Sequence, residues 1–120
     1  MNLLRVLSLL EAEVVSQQVD LEQDVVGGAA ADLMSDVLSF ARPNCLLLTG
    51  LTHPQVVRTA EMAGLLAIAF VRGKQPPEET IRLAAEIGIP LLCTHFSMYE
   101  SCGRLYSAGL PASISEIHST

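Results

Sequence analysis

The chain has 120 residues, a length that fits one domain with its own hydrophobic core. Half of the residues are hydrophobic but only 4% are aromatic and none is Trp, so the core must be aliphatic. This composition is typical of parallel strands that are buried on both faces. The net charge of −6, with seven Lys and Arg, opposes nucleic-acid binding through phosphate neutralisation.

The cysteines and the N-terminus bear on the cellular compartment. Cys45, Cys93 and Cys102 are odd in number, lack paired spacing and have apolar neighbours, which predicts reduced, mostly buried thiols of the kind found in the cytoplasm. Glu11 and Glu13 interrupt the first apolar run too early for a signal peptide. No segment has the about 20 apolar residues that span a bilayer. We therefore expect a cytoplasmic protein with no membrane or nucleic-acid partner.

Hydrophobic periodicity predicts an alternation of strands and helices. The predicted elements are, in chain order, a helix over 2–11, a strand over 11–16, a polar connection over 17–23, a strand over 24–29, a helix over 32–41, a strand over 45–49, a helix over 54–63, a strand over 65–71, a helix over 77–87, a strand over 89–94 and a helix from Ser97 to near Gly109. This order predicts one small α/β domain over 1–110, with a parallel or mostly parallel sheet flanked by helices. Residues 111–120 are predicted to be a frayed tail.

Several helix ends carry recognisable signals. Pro54 suits the first position of a helix, and Gly64 and Gly88 suit the positions just after a helix. The sequence Ser97-Met98-Tyr99-Glu100 matches a capping box, so Ser97 is predicted to open the last helix.

The stretch 25–38 organises the predicted sheet edge. Two valines precede Gly27 and Gly28, and Asp32 and Ser35 follow within eight residues. Because glycine permits sharp turns and close backbone approach, we predict a strand, a glycine turn and then a helix. Asp32 and Ser35 would lie in the first turn of that helix, where backbone N–H groups are unpaired.

Polar residues follow each predicted parallel strand, at the edge where open α/β sheets bind ligands. The candidate ligand-binding residues are Gly28, Asp32, Ser35, Thr49, Thr52, His53, Arg72, Lys74, Thr94 and His95. Cations, hydroxyl groups and helix N-termini together predict a site for a small anion or phosphate group. The alternative is structural: the hydroxyl and carboxyl groups cap helices, and the cations are solvated turn residues.

Motifs for other chemistry are weak. Neither GxxxxGK[ST] nor GxGxxG occurs, so nothing supports ATP hydrolysis or kinase activity. Cys93 and His95 could form a nucleophilic pair or, with His53, a metal site, but three scattered residues lack the spacing of a structural zinc site. A buried thiol and turn histidines are the simpler interpretation. We therefore predict no catalytic residues, no metal and no cofactor.

Several stretches together resemble the DRTGG-domain family, which is similar to the N-terminal domain of HPr kinase/phosphorylase. The stretches that carry the resemblance are Gly28 through Leu38, Thr52-His53 through Leu65, Pro77-Glu78-Glu79-Thr80 through Leu92, Ser97 to Glu100, and Gly103-Arg104-Leu105-Tyr106. The resemblance covers about residues 2–110. The name-giving string D-R-T-G-G is absent, so no role attached to it is carried over; Arg72-Gly73 occupies a comparable turn after a strand.

The resemblance implies a compact α/β fold and a regulatory or ligand-sensing role. Members of the family occur alone or fused to CBS domains or to phosphotransacetylase, and some relatives are linked to iron-only hydrogenases. The kinase domain of HPr kinase is absent from this chain, so the resemblance does not imply kinase activity. The three scattered cysteines give no independent support for an iron–sulfur cluster, which usually needs four thiolates.

These observations lead to three hypotheses. The first is a non-catalytic regulatory domain that binds a small anionic metabolite or nucleotide at the turns after its strands. The apolar excess further predicts a homo-oligomer. The second is a protein-interaction subunit of a metabolic or redox enzyme, without a small ligand. The third is a cysteine- or metal-dependent enzyme.

Overall fold

The computed structural model describes residues 1–16 and 19–113. The elements in this part of the chain are, in order, α1 (Leu3–Leu10), β1 (Glu13–Val14), β2 (Gly28–Ala30), α2 (Met34–Phe40), β3 (Leu46–Thr49), α3 (Pro54–Ala63), β4 (Ala67–Phe70), α4 (Glu78–Ile87), β5 (Leu91–Cys93) and α5 (Met98–Ser107). Most of the predicted elements are present with shorter bounds, and α3 has the predicted bounds.

The five strands form one mostly parallel sheet in the order β1-β5-β4-β3-β2. Strands β2, β3, β4 and β5 pair in parallel, with Leu47 opposite Ile68 at the centre. Strand β1 runs antiparallel to β5 and places Glu13 opposite Cys93. The predicted α/β fold, a mostly parallel sheet flanked by helices, is confirmed.

Alternating side chains of the central strands pack into two cores, one on each face of the sheet. Leu47 and Ile68 face α2, α3 and α4 in one core. Leu48 and Ala69 face α1 and α5 in the other. Because both faces are covered, strands β3, β4 and β5 are buried throughout, which explains their continuous apolar sequences.

The predicted helix ends are confirmed. The Ser97 hydroxyl oxygen accepts the backbone N–H of Glu100 at 3.1 Å and caps α5. Pro54 is the first residue of α3, and the C-caps Gly64 and Gly88 have φ of 71° and 90°. These left-handed values suit glycine, so the two helices end where the sequence indicated.

The predicted glycine turn is wrong. Gly28 begins β2 instead of ending a strand, and neither Gly27 nor Gly28 adopts a positive φ. A Cβ at Gly27 would lie 3.2 Å from the carbonyl oxygen of Pro111, so these glycines permit close approach of a distant segment. Helix α2 accordingly begins at Met34, and Asp32 lies before it.

Residues 111–113 pair with β2 instead of forming part of a tail. The N–H of Gly28 donates to the Pro111 carbonyl at 2.9 Å, and the N–H of Ser113 donates to the Gly28 carbonyl at 2.7 Å. Ser113 is buried, and its hydroxyl oxygen accepts the N–H of Arg42 at 2.8 Å. The domain therefore extends past residue 110 to at least Ser113. The rest of the predicted tail, with His118, lies outside the described residues.

Every helix in the described ranges is too short or too polar to cross a lipid bilayer.

Candidate functional site

The turns after the parallel strands meet at one edge of the sheet through backbone hydrogen bonds. The N–H of Val71 donates to the Thr49 carbonyl at 3.0 Å, which joins the turn after β4 to the end of β3. The N–H of Arg72 donates to the Phe96 carbonyl at 2.8 Å, and that of Gly73 donates to the Thr94 carbonyl at 2.9 Å. The turn after β4 is therefore fixed between its two neighbours.

Asp32 joins the end of β2 to the turn after β3. Its Oδ1 accepts the Thr49 hydroxyl at 2.9 Å and the backbone N–H of Gly50 at 2.8 Å. The Thr49 hydroxyl oxygen in turn accepts the N–H of Leu51 at 3.2 Å. Asp32 is thus not the helix cap that the structural alternative supposed, and the N-cap residue of α2, Leu33, makes no side-chain capping bond.

These contacts favour the charged form of Asp32. The backbone N–H of Gly50 lowers the pKa of the Asp32 carboxyl below its ordinary value of 3.8. Burial acts in the opposite direction, and the Thr49 hydroxyl and the Arg72 charge add further lowering. Asp32 is therefore ionised at neutral pH, close to a cation.

That cation, Arg72, lies over the backbone of Gly50. A Cβ built on Gly50 would collide with Nη2 of Arg72 and would lie 3.2 Å from Cζ and 3.7 Å from Nε. The Arg72 backbone has a left-handed φ of 62°, which is uncommon for a residue other than glycine. Within residues 1–16 and 19–113, the exposed guanidinium donates no hydrogen bond and forms no ion pair. Its donors are free for another group.

Three more candidates lie in the turns after β3 and β4, without contacts that bring their side chains together. Lys74 is exposed, and so is His53, which is the N-cap residue of α3 and makes no side-chain capping bond. The Thr52 carbonyl accepts the hydroxyl of Thr80 at 2.7 Å, which ties this turn to α4.

Three candidates are placed away from a shared site. The buried Thr94 hydroxyl donates to the Leu10 carbonyl at 2.6 Å and accepts the Phe96 N–H at 3.2 Å, so it is engaged inside the fold. Gly28 lies at the opposite end of β2 from Asp32. Ser35 is exposed in the first turn of α2.

The last candidate, His95, lines a small cavity beside β5. The cavity holds about 60 Å³ and is lined by Glu11, Glu13, Gly73, Gln75, Cys93, Thr94 and His95. Burial, with a smaller effect of Glu13, raises the pKa of the Cys93 thiol to about 11. A thiol that stays protonated at neutral pH is a poor nucleophile. In the described part of the chain, no three His, Cys, Asp or Glu side chains are placed to hold a metal ion.

The sequence did not predict a groove that lies along β2. A cavity of about 300 Å³ lies between β2 and α2 and is lined by Gly28, Ala29, Ala30, Ala31, Asp36, Val37, Phe40, Ala41, Ala112 and Ser113. A smaller one, of about 80 Å³, lies between β2 and α5 and includes Tyr106. Phe40 is 58% exposed and Tyr106 is 72% exposed. The available signal was the run of small residues from Gly28 to Ala31, which leaves space on both faces of the strand.

The chain was also compared with known proteins. No protein-family model matches it, and no curated protein is similar to it at a significant level. A solved structure that matches contains the CBS and DRTGG domains of the regulatory region of Clostridium perfringens pyrophosphatase, complexed with the activator diadenosine tetraphosphate. The TM-score is 0.67 at 17% identity, over 93% of this chain and 48% of that chain. The chain thus spans about half the length of that structure and shares its α/β fold over the matched part.

Proposed function

We propose that the protein is a non-catalytic regulatory domain of the DRTGG type, which binds a small anionic metabolite or nucleotide at the carboxyl edge of its sheet. The observation that carries the proposal is the Arg72 guanidinium, which lies over Gly50 beside Asp32 without a partner in the described residues. Ligands of open α/β sheets bind at this edge. A free arginine there is suited to a phosphate or carboxylate group.

The neighbouring groups support an anionic ligand. Lys74 adds a second exposed cation to the turn that holds Arg72. His53 is the N-cap residue of α3 and makes no side-chain capping bond, and because α3 follows β3, the N-terminus of this helix lies at the same edge. The partial positive charge of a helix N-terminus favours an anion.

The structural neighbour supports a regulatory role. It is a regulatory region, and its activator is a nucleotide with a chain of phosphates. The resemblance of this chain to DRTGG domains leads us to propose that the matched half of that region is its DRTGG part. We further propose that this chain, like that region, changes the activity of an enzyme, either as part of it or as a separate subunit.

A thermal-shift and calorimetric panel tests the proposal. The probes are diadenosine tetraphosphate, ATP, AMP, inorganic triphosphate and citrate. We expect a phosphate-bearing probe at 100 times its dissociation constant to stabilise the fold by about 2.7 kcal/mol, which raises Tm by several degrees. Arg72→Ala should abolish most of this shift.

The matched control is Arg82→Ala, since Arg82 is an exposed cation of α4 that pairs only with Glu78 among the described residues. This variant should retain the full shift. Loss of the shift in both variants would indicate a nonspecific effect of charge. If no probe stabilises the wild-type protein, the anion-site proposal is wrong.

A second candidate function is favoured by the groove along β2. Its small strand residues and the exposed rings of Phe40 and Tyr106 present an apolar surface at a sheet edge. Such surfaces mark protein interfaces. Under this candidate the protein is an interaction subunit or a homo-oligomer, and Phe40→Ser should reduce a molar mass measured by light scattering to that of one chain. A wild-type protein that is monomeric at high concentration would contradict the homo-oligomer.

A further inference from the structure

We propose that Gly50 is a positioning residue: because it has no side chain, the Arg72 guanidinium can lie beside it, where it meets one oxyanionic group of the ligand. The inference rests on the proposed function. It identifies the part of the proposed site that selects a phosphate or carboxylate group.

The backbone does not explain why a glycine stands at position 50. Four glycines of the described chain have a positive φ, and Gly50 is not one of them. Its conformation is therefore open to other residues. The space that a side chain would need is instead occupied by the guanidinium, since Nη2, Cζ and Nε all lie within 4 Å of a Cβ built there.

The backbone on both sides of this contact is fixed by hydrogen bonds. The N–H of Gly50 donates to Asp32 Oδ1 at 2.8 Å, which holds the surface beneath the guanidinium. The backbone of Arg72 is held by its bond to the Phe96 carbonyl, and the next residue, Gly73, is bonded to Thr94. The Arg72 side chain is therefore the part of this contact that is free to move, and a methyl group at position 50 would displace it.

Positioning has a consequence for binding. Because Gly50 has no Cβ, the Nη2 end of the guanidinium can lie next to its backbone, near Asp32. A methyl group at position 50 would force the guanidinium away from this position, so a ligand would meet it in a different geometry and bind more weakly. A phosphate or carboxylate group matches the geometry of the guanidinium donors.

Calorimetry with ATP and with inorganic triphosphate tests the inference in the full chain. Gly50→Ala should weaken binding about tenfold, which corresponds to about 1.4 kcal/mol, with Tm nearly unchanged. The double variant Gly50→Ala/Arg72→Ala should bind no more weakly than Arg72→Ala, because the two changes act on one contact. Equal effects on both probes would show that the phosphate chain is the group recognised, whereas an effect on ATP alone would place the nucleoside at Arg72.

Gly103→Ala is the matched control. Gly103 lies in α5, and a Cβ there would meet no atom within 4 Å. This variant should bind like the wild type. If Gly50→Ala also binds like the wild type while Arg72→Ala does not, the positioning role is wrong although the anion site stands.

A measurement without ligand separates this inference from the proposed function. Arg72→Ala should raise the pKa of Asp32, followed by NMR of its carboxyl carbon, because a nearby positive charge is removed. Gly50→Ala should raise it by a smaller amount, because the guanidinium is displaced but not removed, and the double variant should raise it no further than Arg72→Ala does. An unchanged Asp32 pKa in Gly50→Ala would overturn the inference even if no probe binds.

The same variants decide the case in which Gly50→Ala folds poorly. If the methyl group conflicts with the Arg72 side chain, Arg72→Ala restores the Tm of the Gly50→Ala protein. If the double variant is as unstable as Gly50→Ala alone, the conflict is with the backbone and the inference is wrong.

Discussion

Two arginines near the carboxyl edge of the sheet have opposite surroundings. Arg104 of α5 lies 4.0 Å from the centre of the Phe96 ring and donates to Glu100 at 2.9 Å and to the Leu9 carbonyl at 3.3 Å. Arg72, at the end of β4, has neither an ion pair nor a side-chain hydrogen bond within the part of the chain that the structure describes. Arg104 thus makes several contacts within the fold, whereas Arg72 lies exposed at the surface.

Two threonines show the same contrast. Thr94 follows β5, and its hydroxyl donates inward to the Leu10 carbonyl at the end of α1. Thr49 ends β3 and is as deeply buried as Thr94, but its hydroxyl donates to the carboxylate of Asp32, which is an exposed residue. The residue type is identical, so what separates a structural position from a candidate site position is the partner that the fold supplies.

The largest expected effect is on Thr94, whose hydroxyl donates to a backbone carbonyl inside the fold. Thr94→Val removes a buried hydrogen bond and leaves the Leu10 carbonyl without its donor, so the free energy of unfolding should fall by about 1–3 kcal/mol. Thr49→Val should cost less, about 1 kcal/mol, because water can solvate the exposed Asp32 carboxylate although the Leu51 N–H loses its acceptor. Urea denaturation followed by circular dichroism measures both. Equal losses would show that the two threonines are equivalent and would remove the contrast.

A smaller effect is expected for the arginines. Arg104→Ala should lower the free energy of unfolding by about 1 kcal/mol, since it removes a cation–π contact and a helical ion pair. Arg72→Ala should change it by less than about 0.5 kcal/mol, as expected for a side chain with no internal bonds. The same urea titration gives both values, with Arg82→Ala as an exposed control. A larger loss for Arg72→Ala than for Arg104→Ala would identify Arg72 as a structural residue.

Local signals were sufficient for most of the fold. The apolar run over 65–71 predicts a strand, and the capping box at Ser97 predicts the start of a helix. Both signals involve only residues that are close in sequence, and both elements are present in the structure. The start of β2 was misjudged because its cause is distant in sequence. Gly28 is a strand residue because residues 111–113 and Leu46 lie on its two sides, and no local pattern contains that information.

Only the location of the candidate site, and not the contacts within it, could be predicted from the sequence. The rule that turns follow parallel strands at one edge placed Asp32, Thr49 and Arg72 together. The direction of each side chain depends on partners far along the chain. Thr94 is engaged by Leu10, 84 residues away, and Asp32 by Thr49, 17 residues away. The sequence pattern therefore could not separate Thr94 from Thr49, or predict that Gly50 lies beneath Arg72.

The smallest expected effect is on the pH dependence of stability, which tests the contacts of Asp32 with Thr49 and Gly50. The pKa of Asp32 is lowered in the folded protein, so its ionised form stabilises the fold above its ordinary, unfolded pKa of 3.8. This contribution is lost as the pH falls through the lower, folded value. Asp32→Asn keeps an oxygen acceptor but removes the charge. At pH 7 it should be less stable than the wild type by about 0.5 kcal/mol, a small value because Asp32 is exposed. The difference should shrink as urea titrations are repeated down to pH 3.

Glu22→Gln, at an exposed position, controls for the loss of one negative charge. A difference that stays constant between pH 7 and pH 3 would mean that the Asp32 charge does not hold the Gly50 turn, and that the hydrogen-bond acceptor alone explains its role.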